Sequence, residues 1–541
     1  MRLPATAVCV VTPGRRRTSR NLNSVIPRGA GKPAPLFLAA PLTRLSVCLC
    51  LCFIVVGSSL FSRRTVRTLA LIAITAGAAW LRFHAITAKS FWIDEGASVA
   101  IARMDWFNFV RLLWRREANM TLYYLLLRGW IHLGDSEAFI RGLSVLFALL
   151  TFPVLYLLGK RLFGRRSAMA ACVLLSVNAF HVRYSQEARA YTLVTLLVTL
   201  SSLCFVEASQ RPERWKWSVY AITSALAVYA QFYAVLVVVA HLAWWWRERR
   251  AGQPVSSSEV RRVIILFTVL TAPAWIFIIT TGAGPLRWLE RPGLASIRDF
   301  ILGITGNAGW LLAVLYIALA VAGARRRLTH PPGQPRFPDP NLFAAAWLLL
   351  PIAITLLVSV VKPVFLPRYL IVCLPALTLL GGAGLMRLPK LAASAALIGI
   401  TALSLQGAAK YYAQDFDLLR EDWHGATAYV TDHQQPGDAI LFHANQGRMP
   451  FDYYAQLWNR PEPVIYFPGN NRAVTWHDFM GSPSRKDLDE AASGSRRVWL
   501  ILSHTNEADP ATKLAESTLA NHLGPPAKTD FAGVQVLLYS R

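Results

Sequence analysis

Apolar runs, most of them about 17–24 residues long, recur from Val66 to Ala408 and limit this chain more than any other feature does. Roughly 20 consecutive apolar residues let a helix cross the hydrocarbon of a bilayer. Inside lipid a backbone must satisfy its own hydrogen bonds, so each run is expected to be helical. Eleven spans are predicted, at about 66–83, 140–159, 167–183, 190–208, 217–231, 233–246, 263–281, 300–323, 342–361, 369–386 and 391–408. Hydrophobic residues make up 54% of the 541 and charged residues only 16%, which excludes a chain of soluble domains alone. The expected class is a polytopic α-helical membrane protein.

A formal charge of +26 would by itself fit a nucleic-acid-binding protein. Its location argues otherwise. From Lys410 to Arg541 there are 12 Lys/Arg against 16 Asp/Glu, so the whole basic excess lies in the membrane half and the N-terminal arm. Cytoplasmic loops and contact with anionic headgroups account for it there, and no nucleic-acid partner is expected. The connections Arg63–Arg67, Lys160–Arg166, Ser209–Trp217, Arg247–Arg262, Ala324–Asn341 and Arg387–Lys390 hold 21 Lys/Arg in about 60 residues. The opposite loops hold 13 in about 88. The denser set belongs in the cytoplasm, which puts 84–139, 183–189, 282–299, 362–368 and everything after Lys410 outside.

Three parts follow: a basic arm with a short apolar segment (1–65), a membrane domain (66–409) carrying the outer loop 84–139, and a small extracytoplasmic α/β domain (410–541). Residues 1–44 hold eight Lys/Arg and no acid, and 45–61 form a short apolar run. That pattern reads as a non-native upstream extension or an interfacial segment, or else as a twelfth span. In the outer loop, Gly96 to Arg116 reads as one amphipathic helix suited to the membrane interface, with Val99, Ile101, Met104, Phe107 and Leu112 interleaved with Arg103, Arg111 and Arg115. After Lys410, Ala439–His443, Pro463–Phe467, Val498–Ser503 and Val534–Tyr539 read as strands, and Trp423–Asp432 and Ala511–Leu523 as helices. No cysteine follows Cys373, so the α/β domain is expected to have no disulfide, and no Cys cluster has zinc spacing.

Three polar clusters stand out against this apolar background. Phe91-Trp92-Ile93-Asp94-Glu95-Gly96 sets two adjacent acids beside aromatics just beyond the first span. Such a pair is costly at a membrane surface unless solvated or partnered. It fits a helix start, with Asp94 as cap and Glu95 complementing the dipole, as well as it fits chemistry. His181 to Tyr191 packs one His, two Arg (Arg183, Arg189) and Glu187 between two spans. An exposed ion pair would explain it, but ionisable groups at membrane depth are candidates for function. Lys362-Pro363-Val364-Phe365-Leu366-Pro367-Arg368-Tyr369 flanks a proline-stiffened turn with two cations. These could grip a phosphate or snorkel to lipid headgroups.

In order and sidedness these stretches resemble the GT-C glycosyltransferases of the protein-mannosyltransferase and aminoarabinose-transferase kind (glycosyltransferase family 39 and relatives). The matching segments are FWIDEGASVA, LYYLLLRGWIHLGDSEAFIRGLSVLFALL, LGKRLFGRR, RYSQEARAYTL and LPRYLIVCLPALTLL, spread over about residues 66–410. The resemblance implies a GT-C fold and transfer of a sugar, with inversion, from a polyprenyl-phosphate donor to a glycan, lipid or protein acceptor at the outer face of a bacterial inner membrane. It makes Asp94 the general base, with Glu95 beside it and Glu187 near the second acid. Arg368 and Tyr369, with Lys362, Arg183 and Arg189, would contact the donor phosphate. Tyr123, Tyr124 and Tyr184 are the candidates for sugar or acceptor contact. A divalent cation is the one cofactor the acids would admit, although Asp94 and Glu95 alone offer too few ligands. The His-Pro-Pro that relatives often carry before Leu-Tyr-Tyr is replaced here by Asn119-Met120-Thr121. A lipid-linked sugar flippase or a non-catalytic membrane assembly protein are the alternatives; a flippase would place its polar groups at mid-membrane depth in paired halves.

Overall fold

The computed structural model describes residues 63–251, 257–282, 289–325, 337–413, 421–460, 464–468, 482–504 and 509–541. Of the arm and apolar segment expected over 1–65, residues 1–62 lie outside the described residues. The chain clusters into two compact units: a membrane unit, and an α/β unit that joins Thr87–Asn108 to the residues after Ala413. The division therefore falls inside the loop 84–139 that was expected to belong whole to the membrane domain.

Along the chain, α1 (Arg63–Phe83) is followed by α2 (Ile93–Arg103), α3 (Trp106–Arg115), α4 (Thr121–Trp130), α5 (Glu137–Phe163), α6 (Arg165–Val177), α7 (Ala179–Ser185) and α8 (Tyr191–Gln210). Then come α9 (Arg214–Ala230), α10 (Ala234–Arg250), α11 (Ser257–Thr281), α12 (Leu294–Ile304), α13 (Trp310–Ala324) and α14 (Pro340–Val361). A 3-10 turn, Pro367–Cys373, opens α15 (Leu374–Leu385), and α16 (Lys390–Ala413) ends the membrane unit. Among the described residues six stretches are long and apolar enough to cross a membrane: Glu137–Phe163, Tyr191–Gln210, Ser258–Thr281, Pro340–Val361, Pro367–Leu385 and Lys390–Ala413. Thr68–Phe83 and Trp310–Ala324 are shorter apolar helices. The protein is a polytopic helical membrane protein with a small C-terminal α/β domain.

Two expected spans are broken, for local reasons. The run 167–183 divides at Asn178, whose side chain accepts from the His181 N–H at 3.0 Å and so caps α7. The run 300–323 divides between Ile304 and Trp310, where Gly306, Asn307 and Gly309 adopt positive φ of 112°, 56° and 99°. Elsewhere small residues let helices touch backbone to backbone. A Cβ on Gly323 of α13 would sit 2.0 Å from the Leu380 carbonyl oxygen of α15, and one on Gly384 would sit 2.0 Å from that of Leu319. Without a hydrophobic drive between helices in lipid, such close approach is what holds them. Polar contacts add to it: His241 of α10 meets the Tyr220 hydroxyl and Ser202 Oγ, each at 3.0 Å.

In the α/β unit, α17 (Trp423–His433) and β1 (Ala439–Phe442) lead to α18 (Arg448–Leu457), β2 (Val464–Phe467), α19 (Arg485–Gly494), β3 (Arg497–Ser503), α20 (Pro510–Leu523), β4 (Ala527–Phe531) and β5 (Val534–Ser540). The sheet order is β2-β1-β3-β5-β4, with β1 parallel to β2 and β3, and β5 antiparallel to β3 and β4. On one face Ala439, Leu441, Val498, Leu500 and Leu502 pack with Leu488, Ala491 and Ala492 of α19 and Ala515, Leu519 and Leu523 of α20. On the other, Phe451 of α18 meets Phe442 with ring centroids 5.3 Å apart. Strands covered on both faces read as continuous apolar runs, which is why β1 and β3 stand out in the sequence.

The single amphipathic helix expected over Gly96–Arg116 is instead two. Asp105 accepts from the Asn108 N–H at 3.0 Å and starts α3 afresh. α2 is a buried helix of the α/β unit rather than an interfacial one: Glu95, Gly96, Ala97, Ser98, Val99, Ile101 and Ala102 are all buried. The exposed apolar face belongs to α3, through Trp106, Phe107, Val110 and Trp114.

Candidate active site

The acidic pair opens α2, but neither acid is its cap. Trp92 occupies the cap position with no side-chain cap bond, and Asp94 and Glu95 lie in the first turn. That replaces the expected capping role of Asp94. The free end of the helix is served from far along the chain: Glu421 Oε2 accepts from the Ile93 N–H at 3.4 Å. Its other oxygen, Oε1, lies 3.0 Å from His504 Nδ1. Glu421 is buried and His504 half-exposed. The hydrogen bond to Glu421 raises the His504 pKa above its usual value, and the Glu421 and Asp94 charges add to the rise against the cost of burial. His504 also holds a positive φ of 54°, a left-handed conformation that costs a non-glycine residue. The segment before the acids is stitched to the same region. Ser90 Oγ donates to the Glu421 carbonyl at 2.8 Å and accepts from the Trp423 N–H at 3.1 Å, and the Phe91 N–H donates to the Tyr454 hydroxyl at 2.7 Å. Asp94 is half-buried and Glu95 fully buried.

In the membrane unit the other two clusters are joined by aromatic contacts. Tyr184 packs on Tyr191 at 4.7 Å, Tyr191 reaches Tyr369 at 6.5 Å, and Tyr369 meets Tyr233 at 5.1 Å, all between ring centroids. Arg183 lies over the Tyr184 ring at 5.6 Å, and Arg368 over the Tyr369 ring at 6.0 Å. Glu187 is buried, with Oε1 3.6 Å from Arg183 Nε. Arg189, also buried, donates to the Tyr124 hydroxyl at 3.3 Å. Its carbonyl accepts from Ser144 Oγ at 3.2 Å, and Ser144 Oγ lies 3.0 Å from the Tyr123 hydroxyl. Lys362 stands apart as an exposed side chain at the C-cap of α14, where a cation complements the helix dipole. The turn after it is pinned: the Val364 N–H donates to Ser359 Oγ at 3.2 Å, and the Tyr233 hydroxyl donates to the Val364 carbonyl.

The membrane unit thus brings Tyr123, Tyr124 and Arg189 into one group and Arg183, Tyr184, Glu187, Arg368 and Tyr369 into another, and the Arg189 N–H, which donates to the Glu187 carbonyl at 2.7 Å, joins the two. Asp94 and Glu95 belong to the α/β unit. Sequence reasoning missed Glu421, His504 and Tyr233, because nothing in their immediate neighbours marks them, and it gave no role to Tyr191 at the end of the His181–Tyr191 cluster. It also missed Arg82, buried in α1, which donates to the Ser176 carbonyl at 3.0 Å and lies 2.8 Å from His181 Nδ1. Asn119, where relatives often have His, accepts from the Phe232 N–H at 3.2 Å. Among the described residues no group of three His, Cys, Asp or Glu side chains is arranged to hold a metal ion.

Residues 120–277 match the family model described as dolichyl-phosphate-mannose-protein mannosyltransferase. No curated protein matches the chain in sequence. Among solved structures, ArnT from Cupriavidus metallidurans in the apo state is similar, at 14% identity and a TM-score of 0.55, over 88% of this chain and 98% of that one. ArnT from the same organism bound to undecaprenyl phosphate gives 14% identity and a TM-score of 0.57, over 87% and 98%. At that identity the likeness concerns the fold, and it extends over nearly the whole of ArnT.

Proposed function

We propose that this chain, a GT-C protein of the protein-mannosyltransferase and aminoarabinose-transferase kind, transfers a sugar from a polyprenyl-phosphate donor to an acceptor at the outer face of a bacterial inner membrane. The observation that carries this reading is the run of ring contacts from Tyr184 through Tyr191 to Tyr369, which links Arg183 to Arg368 in the membrane unit. Guanidinium groups match a phosphate in charge and geometry, and a site on membrane helices suits a donor whose polyprenyl tail stays in lipid. That one solved relative holds undecaprenyl phosphate supports a donor of this class.

In the proposed reaction the leaving group is the lipid phosphate. Arg183, Arg189 and Arg368 stabilise the charge that grows on it, an electrostatic contribution made where water is scarce. Asp94 takes the proton of the acceptor hydroxyl or amine as that atom attacks the anomeric carbon. One displacement breaks the sugar–phosphate bond, forms the new glycosidic bond and inverts the configuration. Glu187 holds Arg183 in place, and Tyr123, Tyr124 and Tyr184 supply ring faces and hydroxyls for the sugar. Lys362 contributes long-range attraction from its exposed position.

The test is transfer of label from radiolabelled polyprenyl-phosphate sugars to an acceptor in membranes by the purified full chain. Loss of the general base in Asp94→Asn is expected to slow transfer roughly 100- to 10,000-fold. Label that crosses the bilayer still attached to its carrier would mean a flippase. Neither transfer nor crossing would leave an assembly protein.

A further inference from the structure

A single residue, Gly164, separates α5 from α6, and its φ of 86° admits the turn between them. Close backbone contact packs this turn against α15. A Cβ on Gly159 of α5 would lie 3.0 Å from Ala168 Cα of α6, and one on Gly382 of α15 would lie 2.4 Å from the Ser167 carbonyl oxygen. Where α5 and α15 end and α6 begins, a cavity of about 510 Å³ is left. Lys160, Gly164, Arg165, Arg166 and Ser167 line it, and Phe163 and Met386 are its apolar walls.

The charge in this cavity is uncompensated. Among the described residues no acid lines it, and the side chains of Lys160, Arg165 and Arg166 make no ion pair or hydrogen bond. Neighbouring cations are engaged. Arg161 Nη2 lies 2.5 Å from Glu207 Oε1 of α8, its Nη1 donates to Gln210 Oε1 at 3.2 Å, and Arg387 donates to the Gly323 carbonyl at 3.2 Å. A cytoplasmic position would explain how many basic residues this connection carries, but not why three of them surround a hollow.

The same hollow collects unused hydrogen-bond donors. α6 starts at Gly164 with no side-chain cap and no acid in its first turn. Among the described residues no acceptor meets the N–H of Arg165, Arg166 or Ser167; the Ala168 N–H is the first to be satisfied, by the Gly164 carbonyl at 3.1 Å. Ser167 is only 4% exposed, yet its hydroxyl has no partner among the described residues. The positive end of a helix dipole favours acids, so Arg165 and Arg166 in that first turn oppose it. An anion in the cavity removes both the opposition and the unmet donors.

We propose that this cavity binds the phosphate group of an anionic ligand. The N–H groups that start α6 and the Ser167 hydroxyl meet its oxygens, while Lys160, Arg165 and Arg166 balance its charge. Cations beside apolar walls at the ends of membrane helices suit an anionic phospholipid headgroup, and a free phosphate presents the same oxygens. The site stands independently of the sugar-transfer reading and shares no residue with it.

The test is native mass spectrometry of the full chain in detergent, titrated with phosphatidylglycerol and with phosphatidylcholine, beside isothermal titration with inorganic phosphate. Saturable binding of phosphatidylglycerol, well above that of phosphatidylcholine, is expected. Lys160→Gln and Arg166→Gln should each weaken it about fivefold. Arg214→Gln, which removes an exposed cation from another basic connection outside the cavity, should bind as the parent does. Because Lys160 and Arg166 bond to nothing among the described residues, both variants should keep the parental thermal midpoint. Binding of inorganic phosphate alone, weakened by the same two variants, would support the site and make a soluble phosphate its ligand. Saturable binding of neither anion, equal affinity for phosphatidylcholine, parental affinity in folded Lys160→Gln and Arg166→Gln proteins, or equal weakening by Arg214→Gln would overturn the proposal.

Discussion

His504 is tied to Glu421 at 3.0 Å, and Glu421 in turn caps the helix that begins at the Asp94–Glu95 pair. This coupling has a pH signature. The His504 pKa is raised in the folded protein, first by its bond to Glu421 and further by the charges of Glu421 and Asp94. A histidine whose folded pKa exceeds its unfolded value contributes stability that is full below the unfolded pKa and lost as pH rises through the folded one. The thermal midpoint of the parent should therefore fall from slightly acid to mildly alkaline pH by more than that of His504→Gln. Because His504 is half-exposed, the difference is expected to be at most about 1 kcal/mol. Glu421→Gln should flatten the same part of the curve. A parent and a His504→Gln protein with parallel pH profiles would show that the pair does not act this way. Asp509 behaves oppositely: burial works against its charge, but hydrogen bonds from His443, Ala511 and Thr512 hold its pKa below the usual range. Its contribution is kept at neutral pH and lost toward acid.

Two glycines separate packing from propensity at the scale of the helix. A Cβ on Gly96 in α2 would lie 2.7 Å from the Pro450 backbone nitrogen and 2.8 Å from its Cδ, so α2 and α18 must move apart to admit it. Gly96→Ala is expected to cost about 1–3 kcal/mol and to lower the thermal midpoint. Among the described residues nothing lies within 4 Å of the same position on Gly399 in α16, and Gly399→Ala should be neutral or stabilising by about 0.5–1 kcal/mol. Equal effects from the two would refute the close contact. The same local physics decides what could be read in advance. The membrane spans and the strands β1, β2, β3 and β5 announce themselves through apolar runs, buried throughout in β1 and nearly so in β3, while in β2 only Ile465 is buried. β4, Ala-Lys-Thr-Asp-Phe, does not: it is an edge strand with its side chains largely in water, so burial leaves no pattern in it. α18 and α19 were missed because one is rich in aromatic and polar residues and the other is mostly polar. Breaks at Asn178 and at Gly306–Gly309 hide inside runs whose apolar content is that of a whole span. At the site, Asp94, Glu187 and Arg368 could be singled out because charge is rare in such surroundings. Glu421 and His504 could not, because their meaning comes from contacts with a segment more than 300 residues earlier.

For the molecule as a whole, the proposed base and the proposed phosphate ligands belong to different compact units, with Asp94 in the α/β unit and Arg183, Arg189 and Arg368 in the membrane unit. Binding of the carrier and turnover should therefore come apart under mutation. A guanidinium that makes charge-assisted hydrogen bonds to phosphate contributes about 1.5–3 kcal/mol, so Arg368→Ala is expected to weaken undecaprenyl phosphate binding roughly ten- to a hundredfold. Arg368→Lys keeps the charge but not the planar fork and should fall between. Asp94→Asn should bind the carrier as tightly as the parent, because a base that acts on the acceptor has no bond to the donor phosphate, and should lose turnover instead. Carrier affinity measured by isothermal titration, beside single-turnover transfer, reads both quantities on the same protein. An Asp94→Asn protein that loses carrier affinity as severely as Arg368→Ala would mean that the acidic pair serves the donor, directly or through a metal. The division of labour between the two units would then have to be redrawn.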